Sequence, residues 1–302
     1  MTALDGFAFA LHPHFMTDAT PISDLPTTLR TWRLKLAYDG TDFAGWQVQP
    51  GLPTIQGSLA SAIRSVTSEE VLPQGSGRTD AGVHAQGQIV SLKLAVPIPA
   101  DNLKRALNRI LPSSIRIMEA GVVAPEFHAR RGVLSKTYRY TLFLCRPTKD
   151  VEEIVCSPER ARWVWQYPAP LDAAAMMQSA EMLVGTHDYT SFAANDPERK
   201  TRLQAETNVP DNVRTIHSSA WTLSGEELVY QVRGSGFLHH MVRNIVGTCV
   251  DIGAGRILPT EMEKILAAKN RGAAGATAPP QGLSLIEVEY GSESLFDKDA
   301  RA

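Results

Sequence analysis

The sequence predicts an α+β fold made of two related domains, each combining a sheet with helices. Segments with alternating apolar residues are interleaved with segments whose apolar residues recur at helical spacing, and both halves of the chain contain both kinds. The length of 302 residues also fits two domains, since one domain typically holds about 100 to 200 residues. We predict domains over residues 31 to 125 and 126 to 302, after a flexible extension over residues 1 to 30.

The N-terminal half contains three predicted strands and two predicted helices. Apolar residues at every second position predict strands from residue 31 to the Asp39-Gly40 turn and over residues 88 to 95. Helices are predicted after Thr54, a suitable N-cap residue, and after Pro99. Residues 114 to 118 are expected to form the third strand.

The C-terminal half repeats these types of element without a residue-level repeat. The strongest alternation covers residues 136 to 144, and the acidic, proline-containing segment from 147 to 170 is expected to be a long surface connection. Asp172 should cap a helix that ends before Gly185. Further predicted elements are strands at 213 to 223, 227 to 233 and 283 to 290, a helix at 237 to 252, and a helix started by a capping box of Thr260 and Glu263.

Composition favours a globular protein of a reducing cytoplasm. Thirty Lys and Arg face 32 Asp and Glu, so the net charge of −2 gives no general attraction to nucleic acid. Residues 101 to 146, however, hold nine bases against three acids, which suits a local phosphate-binding surface. The three cysteines form no CxxC pair, and no apolar run is long enough to cross a membrane. We therefore predict a cytoplasmic protein without a membrane span.

The segment Gly75-Ser76-Gly77-Arg78-Thr79-Asp80-Ala81-Gly82-Val83-His84 has the highest density of functional residue types. Its glycines allow a tight turn and close approach of a ligand. It lacks the lysine of a phosphate-binding loop and the spacing of a dinucleotide fingerprint. A lone carboxylate beside an arginine suits a nucleophile or base. The residues alone equally allow a plain turn in which Arg78 pairs with Asp80.

The predicted helix over residues 237 to 252 has an apolar face opposite a face with His239, His240 and Arg243. Such a face can line a site or be an ordinary solvated surface. Adjacent histidines on a helix diverge by about 100°, which disfavours a shared metal ion. No metal site is therefore predicted.

Six segments in order make the chain resemble the tRNA pseudouridine synthase A family, over about residues 34 to 290. Together they are far more specific than any one of them. They are Tyr38-Asp39-Gly40 with Gly45-Trp46-Gln47, Gly77 to His84, Phe127-His128-Ala129-Arg130, Lys136-Thr137-Tyr138-Arg139-Tyr140, Asp188-Tyr189-Thr190-Ser191-Phe192, and Phe237 to Gly247.

This resemblance implies an enzyme that isomerises uridine to pseudouridine at positions 38, 39 and 40 of the tRNA anticodon arm. It implies that Asp80 is the catalytic carboxylate, that Arg78 enters the RNA helix to displace the nucleotide, that Tyr138 stacks on the uracil and that Arg243 neutralises or orients Asp80. It further implies a homodimer that uses neither metal nor organic cofactor. Candidate RNA contacts are Arg105, Arg109, Arg130, Arg131, Arg139, His239 and His240.

With the resemblance, the expected architecture becomes more specific: mixed, mainly antiparallel sheets with helices packed on one side and an active-site cleft between the domains. Three routes remain open for Asp80, namely attack on C1′, addition to C6, and removal of the C2′ proton to give a glycal. Two other classes also remain, a non-catalytic RNA-binding protein or chaperone and a glycosidase-like enzyme or lyase acting on nucleosides. Residues 1 to 30 have no counterpart in the resemblance, and Met16 offers an alternative start.

Overall fold

A continuous ten-stranded sheet organises the computed structural model. The structure describes residues 28–145, 154–194 and 212–291. The predicted extension over residues 1 to 30 therefore lies almost wholly outside the described residues. In the described part of the chain, no helix is long and apolar enough to cross a membrane.

The elements follow the predicted order closely. The strands are β1 Arg30–Tyr38, β2 Gln74–Gly75, β3 His84–Leu94, β4 Ile115–Val123, β5 Val133–Leu144, β6 Trp165–Tyr167, β7 Gly185–Asp188, β8 Val213–Ser224, β9 Glu227–Gly234 and β10 Leu283–Tyr290. The described helices are α1 Ile55–Thr67, α2 Ala100–Ile110, α3 Pro158–Ala161, α4 Ala173–Glu181, α5 Met241–Gly253 and α6 Glu261–Ala268.

The strand order across the sheet is β4-β1-β3-β10-β5-β9-β8-β7, with β2 paired to β3 and β6 paired to β5. The pairs are antiparallel except β10 with β3 and β5 with β6. The predicted α+β class with a mixed, mainly antiparallel sheet is confirmed. The sheet runs across the proposed boundary at residue 125, so the division into two domains stays a prediction.

The last strand joins the two halves of the sheet. β10 pairs in parallel with His84 and Ala85 of β3 and antiparallel with most of β5. Its start therefore lies beside the end of the glycine-rich segment and beside Tyr138, which pairs with Leu285. Strand β10 thus fixes the distance between the glycine-rich segment and the strand that carries Tyr138.

Helices cover the sheet through the apolar faces that the sequence predicted. The Thr54 side chain accepts a hydrogen bond from the Gly57 N–H and starts α1, and Asp172 does the same for α4. α1 contacts α2, α2 packs on β4, and α4 packs on β8 and α5. α5 is buried almost all round, and its Asn244 and Gly247 are buried like its aliphatic residues.

Three local predictions were wrong. The segment from 147 to 170, where described, contains α3 and β6 and buries Val164, so it is part of the fold rather than a surface connection. Thr260 has helical backbone angles and makes no side-chain cap, while the Leu258 N–H donates to Glu261 instead. The long helix begins at Met241 and not at residue 237, because His240 adopts a left-handed conformation (φ 58°).

The joint between β3 and β10 can be tested with a matched pair of strand glycines. A Cβ added at Gly87 would lie 2.3 Å from the Ile286 carbonyl oxygen, whereas a Cβ at Gly121 in β4 meets nothing within 4 Å. Gly87→Ala should therefore destabilise the protein by about 1 to 3 kcal/mol through overpacking. Gly121→Ala should leave the free energy of unfolding nearly unchanged. Urea unfolding of both variants checks this, and equal midpoints would contradict the tight joint.

Candidate active site

The segment between β2 and β3 forms a turn that presents Asp80 to a cleft. The Val83 N–H donates to the Asp80 carbonyl oxygen at 3.1 Å and closes the turn. Gly82 has φ +77°, a conformation that side-chain-bearing residues rarely adopt. We call residues 75 to 83 the candidate catalytic loop, because they carry both Arg78 and Asp80 to the same cleft.

The loop between β1 and α1, residues 39 to 54, contacts this segment, and we call it the bracing loop. The Trp46 N–H donates to the Thr79 carbonyl oxygen at 3.0 Å. A Cβ at Gly45 would lie 2.7 Å from that oxygen, and one at Gly75 would lie 2.6 Å from the Trp46 ring. Both glycines therefore serve close contact between the two loops. The Tyr38 hydroxyl also bonds the Thr79 hydroxyl at 2.9 Å, within the buried base of the loop.

Arg243 in the first turn of α5 makes the shortest ionic contact with Asp80. Its Nη1 lies 2.9 Å from Asp80 Oδ2, while its Nε donates to the Ala278 carbonyl oxygen at 2.8 Å. The Arg243 side chain is only 13% exposed, and that of Asp80 is 21% exposed. The guanidinium is thus fixed by a second contact and holds the carboxylate in one orientation.

His239 and His240 lie in the turn before α5 and face Asp80 together. His240 Nε2 is 3.3 Å from Asp80 Oδ2, His239 Nε2 is 3.7 Å from Oδ1, and the two rings are 3.9 Å apart. The predicted divergence of the two rings was wrong, because it assumed helical geometry that His240 does not have. Burial lowers the pKa of His240, and the negative charge of Asp80 opposes that shift only in part.

Asp80, His239 and His240 bring one ligand atom each within 4.8 Å of one another, the one such group of three among the described residues. This spacing suits a metal ion. The Arg243 guanidinium already contacts the same carboxylate, so a cation placed there would face a fixed positive charge at short range. The ion pair, rather than histidine divergence, is the physical argument against a resident metal.

Tyr138 on β5 forms the aromatic wall of the cleft. Its side chain is 8% exposed, and its ring meets Phe237 edge to face with centroids 5.1 Å apart. Burial raises the pKa of Tyr138, and the nearby Tyr38 and Asp80 raise it further. The phenol therefore stays neutral at physiological pH and offers an aromatic face close to a carboxylate.

The cleft has a volume of about 670 Å³ and draws its lining from both halves of the chain. This size lies within the usual range for small-ligand sites. The lining contains Trp46, Arg78, Asp80, Tyr138 and Arg243, and Asp80 is its sole acidic residue among the residues described. A site with one carboxylate, several cations and an aromatic wall suits chemistry on a flat, polar base attached to a phosphate backbone.

The predicted arginines fall into two groups. Arg78 and Arg130 are exposed and line the cleft, and Arg130 Nε also donates to the Gly75 carbonyl oxygen at 3.2 Å. Four other predicted arginines do not belong to the cleft lining that the described residues form. They are Arg105 and Arg109 on α2, Arg131 after the 124–130 turn, and Arg139 on β5.

Sequence reasoning assigned no role to Phe237, Gln88 or Lys136, although each contacts the candidate catalytic loop or its aromatic wall. Gln88 Nε2 donates to the Gly77 carbonyl oxygen, and Lys136 Nζ donates to that of Ser76, both at 2.9 Å. The available signals were a Gln in β3 next to the apolar residues Ile89 and Val90, and a Lys two residues before Tyr138. Their targets are backbone oxygens, which leave no trace in side-chain patterns.

His84 holds the far end of the loop. Its Nδ1 accepts from the Gly40 N–H at 3.1 Å, and its Nε2 faces the carbonyl oxygens of Arg162 and Gln281 at 2.9 and 3.1 Å. Its ring lies 4.3 Å from that of Trp163. Asp39 Oδ1 is also 3.2 Å from Nδ1. If the ring is protonated, Nδ1 donates to this carboxylate and can no longer accept from Gly40.

Comparison with known proteins shows one consistent family. A family model described as tRNA pseudouridine synthase matches residues 36–130 and 179–291. The chain is 45% identical over 262 residues to tRNA pseudouridine synthase A of Solibacter usitatus, covering 87% of this chain and 100% of the relative. It is 42% identical to that of Moorella thermoacetica, covering 85% and 98%, and 44% identical to that of Brevibacillus brevis, covering 87% and 100%.

The geometry around His84 predicts its protonation state. Burial lowers the pKa of His84 below 6.5 and outweighs the opposing effects of Asp39 and the two carbonyl oxygens, while the charge of Arg162 lowers it further. The neutral ring should carry its proton on Nε2 at pH 7, since Nδ1 accepts from Gly40. Stability should fall as the pH drops below about 6.5, because the unfolded state then binds more protons.

Nitrogen-15 NMR of the imidazoles, assigned with His84→Gln, measures the protonation state and tautomer of the His84 ring directly. A His84 ring protonated on both nitrogens at pH 7 would show that the contact with Asp39 dominates instead.

Proposed function

Because this chain belongs to the tRNA pseudouridine synthase family, we propose that it isomerises uridine to pseudouridine in the anticodon arm of tRNA, at positions 38, 39 and 40. Asp80 is the catalytic carboxylate in this proposal. The observation that carries it is the position of Asp80, which lies in the cleft, paired with Arg243 at 2.9 Å and close to Tyr138.

The reaction breaks the bond between N1 of uracil and C1′ of ribose, rotates the base and joins C5 to C1′. The proton leaves C5 and N1 gains one, so the redox state does not change. Asp80 attacks C1′, adds to C6 or removes the C2′ proton, according to the route. In each route the carboxylate needs a fixed orientation, which the contacts of Arg243 with Asp80 and with the Ala278 carbonyl oxygen supply.

A uridine in a stem must leave the base stack before Asp80 can reach it, at a cost of a few kcal/mol. Arg78 is exposed on the same loop as Asp80, only two residues away, which places a cation at the cleft mouth. Its guanidinium can occupy the space left in the RNA helix and contact phosphates. Tyr138 then receives the displaced uracil on its aromatic face.

The tRNA is larger than the cleft, so further contacts must lie outside it. Arg105 and Arg109 on α2, Arg131 and Arg139 lie outside the cleft lining, belong to the basic stretch of the sequence and suit phosphate binding. Arg130 extends this basic set into the cleft lining. His239 and His240 flank Asp80 and complete the polar rim. A homodimer that acts in the cytoplasm and grips one tRNA across both subunits is part of this proposal.

The role of Asp80 is tested by position-resolved pseudouridine mapping of an unmodified tRNA transcript. Wild type should produce pseudouridine at positions 38 to 40, whereas Asp80→Asn should produce none while its tRNA affinity changes little. Asp172→Asn is the matched control, because asparagine also caps a helix and Asp172 lies outside the cleft lining. Tight tRNA binding without product from wild type would instead identify a non-catalytic RNA-binding protein.

Two substitutions at Tyr138 separate the contribution of the aromatic ring from that of the hydroxyl. Tyr138→Phe keeps the aromatic face and should retain most of the single-turnover rate. Tyr138→Leu loses base stacking worth about 1 to 3 kcal/mol, which corresponds to a rate loss of roughly 5- to 150-fold. Rapid-quench measurement at saturating enzyme compares the two variants. If both lost activity equally, the hydroxyl rather than the ring would be the important group.

A further inference from the structure

Three consecutive carbonyl oxygens of the candidate catalytic loop are each held by a different side chain. Arg130 Nε donates to Gly75 at 3.2 Å, Lys136 Nζ to Ser76 at 2.9 Å, and Gln88 Nε2 to Gly77 at 2.9 Å. The Ser76 hydroxyl also donates to Gln88 Oε1 at 2.6 Å, and the Ser76 N–H donates to Ile89. These hydrogen bonds hold the backbone immediately before Arg78.

Lys136 is the unusual member of this set. Its ammonium lies so close to the loop that a Cβ at Gly77 would be 2.9 Å from Nζ. Burial and the charge of Arg130 lower the pKa of Lys136 to about 8. In the described part of the chain it forms no ion pair with a carboxylate. Placing a half-buried cation beside a second cation is costly, and the Ser76 carbonyl oxygen is the hydrogen-bond partner that offsets part of this cost.

We propose that Lys136 is a positioning residue that anchors the loop through the Ser76 carbonyl oxygen and thereby sets where Arg78 and Asp80 meet the substrate. This inference rests on the proposed function. Lys136 and Tyr138 lie two residues apart on β5, so one strand fixes both the aromatic wall and the backbone that leads to the carboxylate. Among the three side chains that hold these carbonyl oxygens, Lys136 is the one that shares a strand with the aromatic wall.

Removing the ammonium should loosen the loop without removing any group that touches RNA. Lys136→Met keeps the length of the side chain but leaves the Ser76 carbonyl oxygen without its donor. We expect the single-turnover rate of pseudouridine formation at saturating enzyme to fall about 10- to 100-fold, since small displacements of reacting groups have effects of this size. The dissociation constant for tRNA should change less than about twofold. Lys136→Arg, which keeps a donor, should recover a substantial part of the rate.

Hydrogen–deuterium exchange provides a readout that does not depend on activity. Amides of residues 77 to 82 should exchange faster in Lys136→Met than in wild type, whereas those of α6 should be unchanged. Lys264→Met is the matched control, because Lys264 is an exposed lysine of α6 outside the cleft lining, and its variant should equal wild type in rate and exchange.

Several results would overturn the proposal. A weaker tRNA affinity with an unchanged saturated rate would show that Lys136 contacts phosphate instead. A lower melting temperature with unchanged rate and unchanged local exchange would show a purely structural role. If wild type formed no pseudouridine, the proposed function would fail, while the exchange comparison would still decide whether Lys136 anchors the loop. Should Lys136→Met not fold, the rate and exchange of Lys136→Arg and of Gln88→Met decide the same question.

Discussion

The ion pair between Asp80 and Arg243 connects the two halves of the molecule at its candidate site. Asp80 belongs to a loop between β2 and β3, and Arg243 belongs to the first turn of α5, 163 residues later in the chain. Neither side chain is free to move, because the loop is bonded along its backbone and the guanidinium also bonds the Ala278 carbonyl oxygen. The energetic value of such a partly buried pair depends on this fixed geometry. The continuous sheet, with β10 between β3 and β5, supplies it.

The site is therefore built by backbone contacts as much as by its side chains. Gly45, Gly75 and Gly87 each lie against a neighbouring backbone or ring at a distance that leaves no space for a Cβ. These contacts bring the bracing loop, the candidate catalytic loop and β10 together next to Asp80. The same arrangement explains why polar side chains such as Gln88 are buried there, since they satisfy carbonyl oxygens that strand pairing leaves open.

Local patterns in the sequence predicted most elements, and non-local geometry explains what they missed. Alternation located β1, β5 and β10, and Thr54 and Asp172 marked the helix starts correctly, because each signal depends on neighbouring residues. The turn at residues 237 to 240 was missed, since helical periodicity continues through it while His240 has φ 58°. The insertion of β10 between β3 and β5 and the hydrogen bond from Lys136 depend on residues distant in the chain. Asp80 and Arg243 could be paired beforehand only through family resemblance.

The presence of a single acidic side chain in the described cleft lining bears on the type of chemistry. Hydrolysis of a glycosidic bond by the usual route needs two carboxylates, one to protonate the leaving group and one to attack or to activate water. In an isomerisation the departing base is also the group that returns, so no water has to be activated. What the site must do is keep the base beside the sugar while it rotates. Under the proposed function, the aromatic wall formed by Tyr138 and Phe237 and the carboxylate of Asp80, which Arg243 holds, would meet that requirement with one carboxylate.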